Sequence, residues 1–237
     1  MILIIRGHIR NSFDNKYLYN FIKTIYYLNP KLEIFIHTWD VFSNNKSWRE
    51  IEINNTPVTK EIIYNYFGNL NHLIKKIIID CDTKIKLIGN LLGNINNGVT
   101  PIHGWKNYWY GKYKIIKYIN DNKKSNENVI NLRFDLLNNS NSYDEKMILD
   151  FIKNHMAKQF TKNIFLFNKE INGIDNIYIG NIKTMYTLTH YFFYELDYIL
   201  TNHCDTWNQE KFVYRINNIL FLNKKWELNL IRNRILK

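Results

Sequence analysis

The chain has 237 residues, 46% hydrophobic and 16% aromatic, which is enough apolar side chain to bury a core and excludes an intrinsically disordered protein. Lys and Arg outnumber Asp and Glu by 32 to 21, and the resulting formal charge of +11 favours anionic partners. The basic residues are scattered as short pairs without an Arg-rich helix, which argues against nucleic acid as the ligand.

The cysteines and apolar runs narrow the class of protein further. Cys81 and Cys204 lie far apart and outside any Cys/His ligand spacing, so neither a disulfide framework nor a structural zinc site is expected. No apolar stretch approaches the roughly 18 residues of a membrane span, and the run from Ile2 to Ile5 is too short for a signal peptide. We therefore expect a soluble, cytoplasmic, single-domain protein, with no indication of its oligomeric state.

The first third of the chain predicts a βαβ unit. The β-branched run from Ile2 to Ile5 predicts a strand buried on both faces. Apolar residues at three-and-four spacing predict a helix from Phe13 to Leu28, and Leu32 to His37 predicts a second strand. Such a unit implies a mostly parallel sheet with right-handed crossovers. A polar, loop-like segment follows from Ser43 to Thr59.

The middle of the chain continues the alternation of helices and strands. A short helix is expected from Lys60 to Phe67 and a third strand from Leu73 to Ile79. Gly and Asn residues predict a flexible loop from Gly89 to Gly104, since they tolerate backbone conformations that other residues avoid. A helix from Trp105 to Ile119 and a fourth strand from Val129 to Leu132 come next.

The last third completes an α/β architecture in which helices flank a mostly parallel, Rossmann-like central sheet. The elements expected there are a helix from Asp144 to Lys158, strands at Ile164 to Phe167 and Ile177 to Ile179, a helix from Thr184 to Leu200 and another around Glu210 to Leu220.

Polar and charged residues follow each of the first four predicted strands, where open α/β sheets bind their ligands. Groups of both signs at one sheet edge suit a diphosphate held by Arg, with a divalent cation bridging it to a carboxylate. Taken singly, each residue also has a structural interpretation: an Arg pairs with a surface acid, a Trp or His packs in the core, and an Asp caps the next segment. Strand by strand, these residues are Arg6, Gly7, His8 and Arg10; His37, Thr38, Trp39 and Asp40; Asp80 and Asp82; and Arg133 and Asp135.

Four short segments, taken in their order along the chain, resemble those of a known protein family. They are Ile5 to Phe13, Ile34 to Asp40, Asn131 to Leu136, and Asp175 to Gly180. Together they resemble GT-A-type glycosyltransferases of bacterial and large-virus surface-polysaccharide synthesis. The resemblance implies one GT-A domain over residues 1–237, with a nucleotide-sugar-binding half at 1–140 and an acceptor-side half at 141–237. It also implies transfer of a sugar from a nucleotide-sugar donor, a UDP-sugar being favoured, to a glycan, a lipid-linked acceptor or a protein.

The same resemblance implies roles for individual residues. Mn or Mg would be bound at Asp135, although the family's D-x-D pair has Arg133 in its first position here, so Arg133 is an alternative means of neutralising the diphosphate without a metal. Asp80 and Asp82 are the second choice for the metal. The residues expected to bind the donor are Arg6, Gly7, His8, Arg10, Thr38, Trp39, Asp40, Arg133 and Asp135.

An inverting transfer also requires a base that accepts the proton of the acceptor hydroxyl. Asp175 and Glu210 are the candidates, with helix capping or surface charge as their alternative interpretation. Two other functions stay open at this point. One is a non-catalytic, basic nucleic-acid-binding protein, and the other is a degenerate transferase without turnover, suggested by Arg133 in the acidic position.

Overall fold

The computed structural model describes residues 1–44, 52–138, 144–166, 174–203 and 209–222. Within these ranges the strands are β1 (Ile2–Arg6), β2 (Glu33–Trp39), β3 (Val41–Ser43), β4 (Asn54–Pro57), β5 (Ile74–Asp80), β6 (Asn128–Arg133), β7 (Ile164–Leu166) and β8 (Ile174–Asn181). The α-helices are α1 (Tyr17–Leu28), α2 (Lys60–Phe67), α3 (Ile102–Asn122), α4 (Glu145–His155), α5 (Ile182–Tyr194), α6 (Leu196–His203) and α7 (Gln209–Leu222).

A six-stranded sheet in the order β5-β2-β1-β6-β8-β7 forms the centre of the molecule. Strands β5, β2, β1 and β6 are parallel, whereas β8 runs antiparallel to β6 and β7. The predicted α/β class, a mostly parallel sheet flanked by helices, is confirmed. Strands from both sides of residue 140 join this one sheet, since β6 pairs with β8.

Two hydrophobic layers cover the two faces of the sheet, which explains why β1 is an unbroken apolar run. Leu3 and Ile5 face one layer and Ile2 and Ile4 the other, as the period of two along a strand requires. Helices α1, α2 and α4 build the first layer, and α3, α5, α6 and α7 build the second. Arg6 therefore points towards α3, at the end of a strand whose other residues are all apolar.

Several boundaries differ from those predicted. Helix α1 begins at Tyr17, because Phe13 stacks on Tyr66 of α2 with ring centroids 3.9 Å apart instead of continuing the helix. The predicted helix from Thr184 to Leu200 is two helices, because the backbone of Glu195 leaves the helical conformation. Strand β4, which lies within the segment expected to be a loop and pairs with β3, was missed, since every residue of Asn54–Pro57 is exposed and polarity does not alternate there.

The Gly- and Asn-rich interval is shorter than predicted, because α3 already begins at Ile102. Ile95 anchors it: its side chain is buried and its N–H donates to the carbonyl of Thr100 at 2.9 Å. Among the described residues, none of the helices combines the length and the hydropathy that crossing a membrane requires. Cys204 and Phe167 lie outside the described residues.

Candidate functional site

The site lies where the strand order reverses. The chain builds β1, β2 and β5 in one direction and then returns to place β6 on the other side of β1. Such a switch point opens a crevice at the carboxyl ends of the two central strands, and ligands of open α/β sheets bind there. Arg6 lies opposite Arg133 in the register of β1 and β6, so each of these two strands ends in an arginine at the switch point.

The turn after β1 directs Arg10 towards the end of β6. Gly7 adopts a φ of +97° and Arg10 a φ of +54°, a left-handed conformation that is uncommon for a residue with a side chain. The backbone N–H of Arg10 donates to the carbonyl of Phe42 at 2.8 Å, which holds this conformation in place. The Arg10 side chain forms an ion pair through Nη1 with Oδ2 of Asp135.

Asp135 Oδ2 accepts a second guanidinium hydrogen bond, from Nη2 of Arg133 at 2.5 Å. Arg133 also donates through Nη1 to Oδ1 of Asn176 at 3.1 Å, and Asn176 Nδ2 donates to Oε1 of Glu210 at 3.3 Å. Burial acts to lower the pKa of Arg133, but Asp135, together with Tyr108 and Asp175, outweighs it and raises that pKa. Asp135 and Glu210, which lie 75 positions apart in the sequence, thus belong to one hydrogen-bonded network of side chains.

A second group of charged side chains lies beneath this network, between the sheet and α3. Arg6 donates to Oδ1 of Asn131 at 2.7 Å, to Tyr108 Oη at 2.8 Å and to the carbonyl of Asp175 at 2.9 Å. Lys112 Nζ lies 3.5 Å from Oδ2 of Asp175 and 4.0 Å from the ring centroid of Tyr108. All three charged side chains are buried, with exposed fractions of 1% for Arg6, 0% for Lys112 and 6% for Asp175.

In this buried group two basic side chains, Arg6 and Lys112, lie next to one carboxylate, that of Asp175. Burial, with the adjacent charge of Arg6, lowers the pKa of Lys112 well below its usual value. Burial acts to raise the pKa of Asp175, but the charges of Lys112 and Arg6 lower it below its usual value. Arg6 Nη1 is buried and has no hydrogen-bond partner within the part of the chain that the structure describes. One nitrogen of this group is therefore left without a hydrogen-bond acceptor among the described residues.

The residues predicted at the end of β2 lie beside the crevice. Thr38 is fully buried, and Trp39 stacks on His8 and Tyr110 with centroid distances of 5.9 and 6.1 Å. Burial and the charge of Arg10 lower the pKa of His8 to about 3, so this ring is neutral near pH 7. Asp40 contributes main-chain bonds: its N–H donates to the carbonyl of Asp80 at 3.0 Å.

Asp80 and Asp82 lie at the end of β5, with β2 between them and the switch point. Asp80 Oδ2 is 3.2 Å from Nε2 of His37, and Asp82 Oδ2 accepts from Nδ2 of Asn44 at 2.5 Å. The structure thus brings Arg6, Arg10, Arg133, Asp135, Asp175 and Glu210 together and leaves Asp80 in a separate contact with His37.

The donor set at Asp135 does not fit Mn²⁺ or Mg²⁺, which require several oxygen ligands. Its Oδ2 is engaged by two guanidinium groups, and the described residues contain no cluster of three or more His, Cys, Asp or Glu side chains that could hold a metal ion. The metal at Asp135, or at Asp80 and Asp82, stays a prediction from the sequence.

Comparison with known proteins leaves the family open. No family model matches the chain, and no curated protein does. A crystal structure of an active-site mutant of LgtC, a GT-A glycosyltransferase, superimposes with a TM-score of 0.38 and 12% identity, covering 93% of this chain and 70% of that one. A superposition this loose carries no argument about this protein.

Lys112 and Asn176 are the site residues that the sequence did not reveal. Lys112 occupies the apolar stripe of α3, three residues after Trp109 and four before Ile116, both of which are completely buried. A lysine on such a stripe is a recognisable signal of a buried charge. Trp105 and Trp109 pack in the hydrophobic layer beneath α3.

Proposed function

We propose that this protein is a glycosyltransferase that uses a nucleotide-sugar donor and holds the donor's diphosphate at the crevice between β1 and β6. The observation that carries the proposal is the convergence of four basic side chains, Arg6, Arg10, Lys112 and Arg133, at the switch point of the sheet. A diphosphate supplies the oxygen atoms and the negative charge that such a group binds. The sequence resemblance of the same strand ends to GT-A enzymes supports the proposal independently.

Arg10 and Arg133 are the residues proposed to contact the diphosphate. Their side chains are 18% and 17% exposed, so both border the crevice, whereas Arg6 and Lys112 are enclosed beneath them. In a glycosyl transfer the bond between the sugar and the diphosphate breaks, and negative charge develops on the departing phosphate oxygen. Fixed guanidinium groups at that position stabilise the transition state more than the ground state, which accelerates the reaction.

Glu210 is the residue that we propose as the base. Its carboxylate lies 3.3 Å from Asn176, which connects it to Arg133, and its side chain is only partly buried. Asp175 is enclosed and its charge is held by Lys112, so its proposed role is to position Lys112 and Arg6. An inverting transfer would pass the proton of the acceptor hydroxyl to Glu210 as the diphosphate leaves.

A thermal-shift screen tests this proposal, because a ligand that binds only the folded state raises its stability by mass action. The panel consists of UDP-, GDP- and dTDP-sugars, with a CMP-sugar, which has one phosphate and no diphosphate, as a comparison, each measured with Mn, with Mg and with EDTA. We expect a shift with one nucleotide class, UDP-sugars first, and that result names the base. No shift with any donor, together with a shift with DNA or RNA, would replace the proposal by a nucleic-acid-binding function.

A further inference from the structure

The carboxylate of Asp135 occupies the position where the proposed function needs a phosphate oxygen. Nη1 of Arg10 and Nη2 of Arg133 both contact the same oxygen, Oδ2. Arginine presents the same planar fork to carboxylates and to phosphates, so one pair of guanidinium groups binds either anion. Only 6% of the Asp135 side chain is exposed.

The two arginines are held in place by contacts that do not involve Asp135. The main chain fixes Arg10, through its left-handed conformation and the bond from its N–H to Phe42. Asn176 holds the other nitrogen of Arg133 at 3.1 Å. Loss of the Asp135 charge therefore leaves the main chain of Arg10 and the contact between Arg133 and Asn176 in place.

The surroundings of Asp135 favour exchange of this carboxylate for a more highly charged anion. Arg6 and Lys112 lie beneath, and the charges of Arg6, Lys112 and Arg133 all act on the single carboxylate of Asp175. Arg6 Nη1 has no hydrogen-bond partner in the described ranges. A diphosphate carries more negative charge than one carboxylate, so it neutralises this cluster more completely.

We propose that Asp135 is an internal substitute for the donor's diphosphate, which displaces it from Arg10 and Arg133 when the donor binds. The inference rests on the proposed function and adds two statements to it: the carboxylate competes with the donor, and binding of the diphosphate requires no divalent cation. A metal ligand at this position would have the opposite effect, since its loss would weaken donor binding.

Titration calorimetry with inorganic pyrophosphate tests the competition, because this probe contains the diphosphate without base or sugar. We expect Asp135→Asn, which keeps the shape and removes the charge, to bind pyrophosphate at least about threefold more tightly than the wild type. Asp135→Glu retains a carboxylate and should show no gain. The control is Asp121→Asn, which changes the net charge by the same amount. Asp121 forms an exposed ion pair with Lys117 near the end of α3, so this variant should bind pyrophosphate as tightly as the wild type.

The outcomes separate this inference from the proposed function. If the wild type binds pyrophosphate and Asp135→Asn binds it no more tightly, the inference is overturned and the proposed function is not. The wild-type protein supplies a second test that needs no variant: it should bind pyrophosphate in EDTA, where no divalent cation is free, and loss of binding in EDTA would also overturn the inference. Absence of binding by the wild type and all variants would remove the diphosphate site and the proposed function with it.

Discussion

Lys112 Nζ lies 3.5 Å from Oδ2 of Asp175, and the two side chains are almost completely enclosed by protein. Removing one member of such a pair leaves the other charge buried with less compensation. We expect Lys112→Met to lower the free energy of unfolding by about 2–4 kcal/mol, measured by chemical denaturation. The matched control is Lys117→Met on the same helix, whose ion pair with Asp121 is exposed and whose loss should cost about 0.5 kcal/mol or less. Equal effects of the two substitutions would contradict this account of the buried pair.

Gly111 lets the ring of His37 approach α3. A Cβ at this position would lie 2.7 Å from Nδ1 of His37, a ring that is fully buried. Alanine normally stabilises a helix interior by about 1 kcal/mol relative to glycine, so Gly111→Ala should act against that preference. We expect a net loss of about 1–3 kcal/mol in thermal or chemical unfolding, because the ring must shift away from Asp80. Asn120→Ala, on the exposed side of α3, is the control and should be neutral or slightly stabilising. A stabilised Gly111→Ala would show that the close approach is absent.

His8 makes stability depend on pH. Its pKa in the folded protein is lowered from 6.5 to about 3 by burial and by Arg10, so the unfolded chain binds one more proton between these values. Stability is therefore full above pH 6.5 and falls as the pH drops through this window. The pKa of His37 is also lowered by its burial, and it acts in the same direction. In denaturation series between pH 7 and pH 5, His8→Gln should reduce the slope by up to about 1.4 kcal/mol per pH unit. An unchanged slope would contradict the lowered pKa of His8.

Arg133 should decide the affinity for the donor. Arg133→Gln retains a hydrogen-bond donor but removes the charge, so nucleoside-diphosphate binding should weaken by about 10- to 100-fold in calorimetry. Arg215→Gln on α7 removes the same charge from an exposed position and serves as the control, with an expected change of less than about twofold. Equal losses in both variants would mean that net charge, rather than the crevice, governs binding.

The sequence predicts the parallel part of the sheet well, because strands buried on both faces are continuous apolar runs. Ile2 to Ile5 is such a run. The charged Arg6 that follows these four aliphatic residues also indicates the position of the site. The strand Asn54–Pro57 gives no such signal, because all of it is exposed and it contains no aliphatic or aromatic side chain other than the ring of Pro57. Its pairing with β3 depends on contacts that hydrophobic periodicity does not encode.

The partners within the site were harder to predict than the residues themselves. Arg10 and Asp135 are 125 positions apart, and only the neighbouring register of β1 and β6 brings their side chains together. The motif around Asp135 suggested a metal ligand, whereas the fold supplies two guanidinium groups to the same oxygen. Lys112 was missed because helical periodicity counts a lysine as a surface residue even where its neighbours on the stripe are buried.

The most direct test of the central claim is release of nucleoside diphosphate from a nucleotide-sugar by the purified protein, followed by chromatography with and without added glycan acceptor. The account predicts turnover with one class of donor, and a rate at least about tenfold lower in Arg133→Gln, because that arginine stabilises the departing diphosphate. Binding of a donor without any release would identify a transferase fold that has lost turnover. Neither binding nor release with any donor, from a protein that is folded, would contradict the claim.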